Sequence, residues 1–166
     1  MAKLDPRLAP AYTVAETARY LRIPLSTVRS WVVGRDYPRQ SGTARFRPVV
    51  VTPKDSSHRL SFRNLVELAA LRGMTNRIKS DGGLPVRFFP PVPNRPEGQS
   101  VMLDPTVSFG RPVLARLGVT TSVIVDRIKA GEQPAVVAKD YGATQDEIMD
   151  ALAYEIAEVG QRHFST

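Results

Sequence analysis

Apolar positions recur at helical spacing near both ends of this chain, and the middle carries short β-type runs broken by proline and glycine. In Tyr12–Gly34 (YTVAETARYLRIPLSTVRSWVVG), Val14, Ala18 and Leu21 lie on one side of a helix. Thr13 and Glu16 form a capping-box pattern at its start, and Ile23-Pro24 stops it, because proline removes a backbone donor and disfavours helix at the preceding residue. Ser26 or Thr27 would cap a second helix, with Val28, Trp31 and Val32 on its inner side, Thr27, Arg29 and Ser30 elsewhere, and Gly34 at its end. Two such helices and a tight turn make a helix-turn-helix, whose second helix can enter the DNA major groove; a plain helical core is the competing reading.

Arg35–Arg47 follows, basic and rich in turn formers. Phe46–Thr52 (FRPVVVT) then has the β-branched content of a strand, Asp55-Ser56-Ser57 reads as a turn, and His58–Ser61 reads as a returning strand. A ribbon after a helix-turn-helix is a wing. Positions 35–63 hold seven Lys/Arg, and only Asp36 and Asp55 offset them. Cations in that place neutralise phosphates without reading sequence. Ser61 would cap a third helix over Phe62 to about Arg72. Residues 1–11 carry Pro6 and Pro10 without periodicity; Lys3 and Arg7 would suit a minor-groove arm, and disorder is the plainer expectation.

Residues 84–97 (LPVRFFPPVPNRPE) contain five prolines and read as a stiff extended spacer, with Val86–Phe89 and Ser100–Leu103 as short β candidates. Beyond them come a helix over Thr121–Ala130, a second over Pro134–Tyr141 with proline in its first turn, and a third opened by the capping box Thr144–Glu147. Ile148, Ala151, Leu152, Ile156 and Val159 give that last helix an apolar stripe. Its polar side carries Asp146, Glu147, Asp150, Glu155 and Glu158, with no Lys/Arg before Arg162, which suits protein contact better than a DNA groove.

The pattern therefore predicts a mainly α chain with small β elements: a winged helix-turn-helix over 1–79, a Pro/Gly-rich linker over 80–100 and a trihelical, helix-turn-helix-like partner-binding or dimerisation domain over 101–166. Composition supports the division. The 166 residues carry a net charge of +7, made of +10 over 1–79 and −3 over 80–166. A basic front would meet double-stranded DNA and a mildly acidic back would meet protein. The chain has no cysteine, which excludes disulfides and thiolate metal sites and fits a reducing cytoplasm. No run is long and apolar enough to predict a membrane span, and His58 and His163 stand far apart. Without a metal-ligand, nucleophile-elbow or nucleotide-loop motif, the expectation is a non-enzyme with no cofactor and no metal.

Two resemblances sharpen this. Tyr12–Leu21 followed by Ile23–Trp31 resembles the N-terminal reading head of MerR-type and excisionase-type DNA-binding proteins, in which a Ser/Thr-Thr-Leu/Val-Arg run opens the recognition helix. In such regulators the third helix leads into further helices; here Gly73 and Ser80-Asp81-Gly82-Gly83 follow instead. Residues 108–155 resemble a small uncharacterised domain found with toxin–antitoxin genes, through Gly110-Arg111-Pro112-Val113, Ala130-Gly131-Glu132 and Ala138-Lys139-Asp140-Tyr141. The sequence departs from that pattern at Arg116-Leu117, where a Gly-Thr pair is usual, and at Thr120, where proline is common. Together the two halves resemble VapB-type antitoxins. The resemblance implies an autorepressor that binds operator DNA as a homodimer and neutralises a PIN-domain ribonuclease. The alternative is a MerR-like regulator with no toxin partner. On either reading the expected DNA-contacting residues are Ser26, Thr27, Arg29 and Ser30 on the second helix, with Arg35, Arg39, Arg45, Arg47, Lys54 and Arg59 on the wing.

Overall fold

The computed structural model describes residues 5–156 except 41, 55, 56, 94 and 96. Among them are six α-helices and three two-stranded sheets, a mixed α/β architecture. The chain divides into two compact units, Met1–Pro85 and Val86–Thr166.

The first unit is built on α1 (Val14–Leu21), α2 (Leu25–Val33) and α3 (Phe62–Leu71). Thr13 and Glu16 form the full capping box of α1, and Ser61 and Asn64 do the same for α3. α1 packs on both α2 and α3. Leu21, Val28, Leu60, Phe62, Leu65 and Leu68 form the most deeply buried part of the core. Tyr12 joins it edge-on to Tyr20, with ring centroids 6.0 Å apart, and its backbone pairs with Leu60. Residues 5–11 are docked: Arg7 is ion-paired to Asp5 at 2.7 Å, and its carbonyl accepts the Arg63 N–H at 3.1 Å. Lys3 lies outside the described residues.

Two expectations fail here. Neither Ser26 nor Thr27 caps α2; the helix begins two to three residues earlier than either cap implies, at Leu25, with Pro24 in the cap position and no side-chain cap bond. Proline's fixed φ suits a helix start, so the Pro24 that ends α1 also opens α2. The β-ribbon also lies earlier than FRPVVVT suggests. It is a hairpin of β1 (Arg35–Arg39) and β2 (Gly42–Phe46), antiparallel, with Arg35 opposite Phe46. Pro48 removes a ladder donor just after β2, and the Val49 and Val50 N–H groups are donated to the Trp31 carbonyl at 2.7 and 3.4 Å instead. Val50 is buried there, while Val51 is 89% exposed and its carbonyl is held by the Asn64 side-chain amide. Ser57 and His58 are left-handed (φ 48° and 63°), so no returning strand forms and Leu60 keeps only its bridge to Tyr12. The Asp55-Ser56 part of the expected turn lies outside the described residues.

After α3 the chain turns into β3 (Ile78–Asp81) and β4 (Leu84–Phe88), which pair across Gly82-Gly83. Both glycines have positive φ, the geometry of a tight primed hairpin turn. The division between the units falls within β4.

In the second unit the proline-rich stretch does not stand free as a spacer. Phe88, Phe89, Pro90 and Val92 are buried, and Phe88 bridges Leu103. Proline leaves the apolar side chains between it able to pack, and three of them do. β5 (Val101–Met102) pairs antiparallel with β6 (Val113–Leu114). Against them lie α4 (Thr121–Lys129), α5 (Pro134–Tyr141) and α6 (Gln145–Ile156), mutually packed around Leu114, Ile124, Val137, Ile148 and Ala151. The α6 stripe differs from its periodicity: Ile156 is 54% exposed, and Tyr154 is buried in its place beside Val92 and Val101. Val159 lies outside the described residues.

Candidate nucleic-acid interface

The geometry around α2 follows from one close approach. Gly34 ends the helix, donating its N–H to the Ser30 carbonyl at 3.0 Å, and starts the hairpin. A Cβ there would stand 2.5 Å from the Phe46 carbonyl oxygen and 3.2 Å from Pro48 Cδ. The two ends of the hairpin therefore close directly against the C-terminal end of α2. Between helix and hairpin opens a recess of 220 Å³ lined by Ser26, Thr27, Ser30, Trp31, Arg35 and Phe46.

Register sorts the hairpin's residues by face, since directly opposed residues share one. Arg35 and Phe46 are opposed and both line the recess; Tyr37 and Ala44, two residues along, are half-buried on the same side. Asp36 and Arg45 are opposed on the other, fully exposed side, and their ion pair spans 3.9 Å. Arg39 holds the β1 position opposite Gly42. On α2, Ser26 and Arg29 are exposed and Thr27 and Ser30 half-buried. Arg47 and Lys54 are exposed outside the hairpin. Arg59 instead donates to the Ala11 carbonyl at 3.0 Å, which ties the incoming arm to the segment before α3.

The structure thus gathers Ser26, Thr27, Ser30 and Arg35 into one recess, leaves Arg29 exposed on the same helix, and sets Arg45 on the opposite side of the hairpin. A larger hollow of 540 Å³, beside α3, collects none of the ten predicted residues. Sequence reasoning missed three side chains of this surface. Trp31 and Phe46 line the recess, and Leu25 is an apolar side chain 44% exposed in the first turn of α2. Proline's preference for helix starts, applied to Pro24, was the signal that would have found Leu25. Among the described residues no cluster of three or more His, Asp or Glu is arranged to hold a metal, and no helix is long and apolar enough to cross a membrane.

In the second unit, the carboxylates expected to face a partner are engaged within the fold. Glu147 caps α6 and also receives both Arg116 nitrogens at 2.8–3.0 Å, while Arg116 reaches the Gly142 carbonyl at 2.8 Å. That pairing holds the Glu147 carboxyl below its ordinary range and raises Arg116. The unusual Arg116 therefore clamps the β6–α4 turn to the α5–α6 turn. Buried Asp150 accepts the Ser100 hydroxyl and is ion-paired to Arg95 at 3.5 Å; Arg95 also meets Asp146 at 3.0 Å. Thr121 donates to Glu155 at 2.5 Å. Arg127 joins Glu132, Asp140 and the Tyr141 ring, which ties α4 to α5 and raises its pKa, Glu132 contributing most. The Ala-Gly-Glu and Asp-Tyr motifs are thus explained by packing. Glu158 and Arg162 lie outside the described residues.

Asp104, 5% exposed, is pushed up by burial, but the Thr106 hydroxyl and amide and Arg87 outweigh this and hold it below the ordinary carboxylate range. A depressed folded pKa stabilises above the ordinary value and is lost as pH falls through the folded one. As pH falls below about 4 and through the depressed folded value, the 104–107 turn should therefore loosen. The protection of the Thr106 amide, corrected for the intrinsic pH dependence of exchange, reads this directly: it should fall on acidification, with Asp104→Asn removing the step. A Thr106 protection factor that stays constant across that range would contradict it.

Residues 101–154, from β5 into α6, match the family described as "Protein of unknown function (DUF433)". Over 53 residues the chain is 40% identical to a Mycobacterium tuberculosis protein named "Putative antitoxin VapB45"; the match covers 32% of this chain and 22% of that protein, about a fifth of its length. The fold is similar to that of the X-ray crystal structure of RV2018 from Mycobacterium tuberculosis, with a TM-score of 0.57 at 22% identity, covering 87% of this chain and 98% of the other.

Proposed function

We propose that this protein is a non-enzymatic antitoxin and autorepressor. Unit 1 binds operator DNA, and unit 2 neutralises a ribonuclease of the PIN-domain kind. The toxin half of the reading is supported by the name of the relative that matches unit 2. The DNA half is supported by one observation above all: α2 and the hairpin join in a recess carrying hydroxyls and Arg35, beside the exposed Arg29. The unit that holds it carries +9, against −2 for its neighbour. In this reading α2 lies in the major groove, Ser26, Thr27, Arg29 and Ser30 meet bases or phosphates, and the hairpin follows the backbone as a wing with Arg35 and Arg39, joined by Arg47 and Lys54 from the segment after it. Symmetric operators call for two heads, so the working species is a homodimer.

A second reading, a regulator without a toxin, is favoured by a specific observation: Glu147, Asp150 and Glu155 of α6 are bonded to groups within unit 2 rather than held free for a partner, although Asp146 stays exposed. Co-expression with the product of the adjacent gene separates the two. A stable complex that silences nuclease activity, with retention of upstream DNA on mobility gels, is expected. DNA retention with no complex would establish the regulator, and a complex without DNA retention would remove the autorepressor half.

A further inference from the structure

We propose that the 104–112 loop, with Phe109 as its anchor, is the surface through which unit 2 takes the protein it neutralises, and that the complementary surface is an apolar cup with carboxylates on its lip. The inference rests on the antitoxin reading and names the part of unit 2 that carries it.

Phe109 is 90% exposed. It is also held in a left-handed backbone at φ 57°, between Ser108 at 47° and Gly110 at 76°. That region is unfavourable for an L-residue with a bulky side chain and suits glycine. The chain therefore bears both a backbone strain and an exposed aromatic ring, and the fold gains no burial from either. Strain of this kind persists where the surroundings determine it, and here they do. Asp104 fixes Thr106, and the Val107 N–H is donated to the Asp104 carbonyl at 2.9 Å. Val107 packs on Phe89, Met102 and Val113. The Gly110 N–H is donated to the Val107 carbonyl at 2.9 Å, and Pro112 and Val113 are buried beyond it. Both flanks are pinned and the ring alone projects. A large ring presented without conformational cost is the form that interface anchors take.

Charge selects the occupant. The loop's one carboxylate, Asp104, is buried and engaged, while Arg111 is exposed and Arg87, its partner, is 55% exposed. Asp104, Arg87 and Arg111 together carry +1, so with Arg87 answering Asp104 the excess cation is Arg111, two residues from the ring, and a cation there fits a carboxylate. A nucleic acid fits less well, because unit 2 as a whole is net negative.

Phe109→Gly is the discriminating variant, since glycine removes the ring and relieves the strain. In the full chain, thermal unfolding should stay the same or shift upward. Affinity for the ribonuclease encoded beside it, measured by calorimetry, should fall at least about thirtyfold, as for an anchor residue. Arg111→Glu should weaken the same complex in a salt-dependent way. Unchanged affinity in Phe109→Gly would overturn this proposal and leave the antitoxin reading standing. Absence of any complex with the parental chain would instead overturn that reading, and this inference with it. Loss of self-association in Phe109→Gly with ribonuclease affinity intact would assign the ring to a second copy and overturn the proposal.

Discussion

Replacing Gly34 with alanine is expected to destabilise unit 1 by about 3–5 kcal/mol, combining the cost of a non-glycine residue in a forbidden conformation with that of overpacking, and to abolish operator binding. Gly34 has φ 83° and ψ 176°, a region essentially reserved for glycine. An added Cβ would meet the Phe46 carbonyl oxygen at 2.5 Å. That oxygen belongs to backbone in the closing pair of the hairpin, Arg35 with Phe46, so it cannot swing away as a side-chain tip would. Relief requires either the end of α2 or the base of the hairpin to move, and each motion opens the recess that brings Arg35 beside Ser26 and Thr27. The chain has one tryptophan, Trp31, in that recess, so its fluorescence reports on this region alone during denaturation. Gly42→Ala is the matched control: φ is 126° there, but nothing lies within 4 Å of the added atom, so backbone strain acts without a clash. Gly34→Ala should melt well below Gly42→Ala. Equal melting would mean that the close approach does not hold helix and hairpin together.

The helices were legible because their signals are local. Capping boxes at Thr13 and Thr144, Pro134 in a first turn and the Gly34 and Gly142 stops each depend on residues within one turn of one another, and all stand where they were expected. The local exception is α2, where Pro24 and not Ser26 or Thr27 holds the cap position. The other readings that failed depended on distant partners. Val49–Val51 has strand composition, but a strand needs a ladder, and the free carbonyl of Trp31 captured two of its amides first. The hairpin formed instead in a stretch whose composition, with Pro38 and three arginines, says loop, because Gly34 and Gly42 allow the chain to reverse there. The proline-rich stretch looked like a stiff extended spacer; its side chains Phe89 and Val92 were the better guide, since they are buried with β5, β6 and α6. For the interface, residue types on α2 could be named from the sequence, but the face assignment could not. Arg35 and Arg45 look equivalent in the chain, and only register separates them. Phe109 was unreadable for a different reason: exposure and a left-handed backbone leave no periodic trace.

That separation of Arg35 from Arg45 gives the other large expected effect. Arg29→Ala alone should lower operator affinity by about 1–3 kcal/mol if its guanidinium reaches a base edge. Arg35→Glu removes a cation and places an anion in the recess, so at physiological salt the double variant Arg29→Ala/Arg35→Glu should lose roughly two to three orders of magnitude, a combined base and phosphate loss. The salt slope of log K should become shallower by about 1 for each phosphate contact removed, which distinguishes lost phosphate neutralisation from lost base reading. Arg45→Ala should change affinity about twofold or less, as expected of an exposed pair with little net energy, because its charge is shared with Asp36 at 3.9 Å on the far side of the hairpin. Ribonuclease binding by all of these variants should match the parental chain, since none touches unit 2. If Arg45→Glu proved as damaging as Arg35→Glu, each made singly, the exposed side of the hairpin, rather than the recess, would be the one turned toward the phosphates. The orientation of α2 in the groove would then have to rotate with it, carrying Arg29 away from the bases.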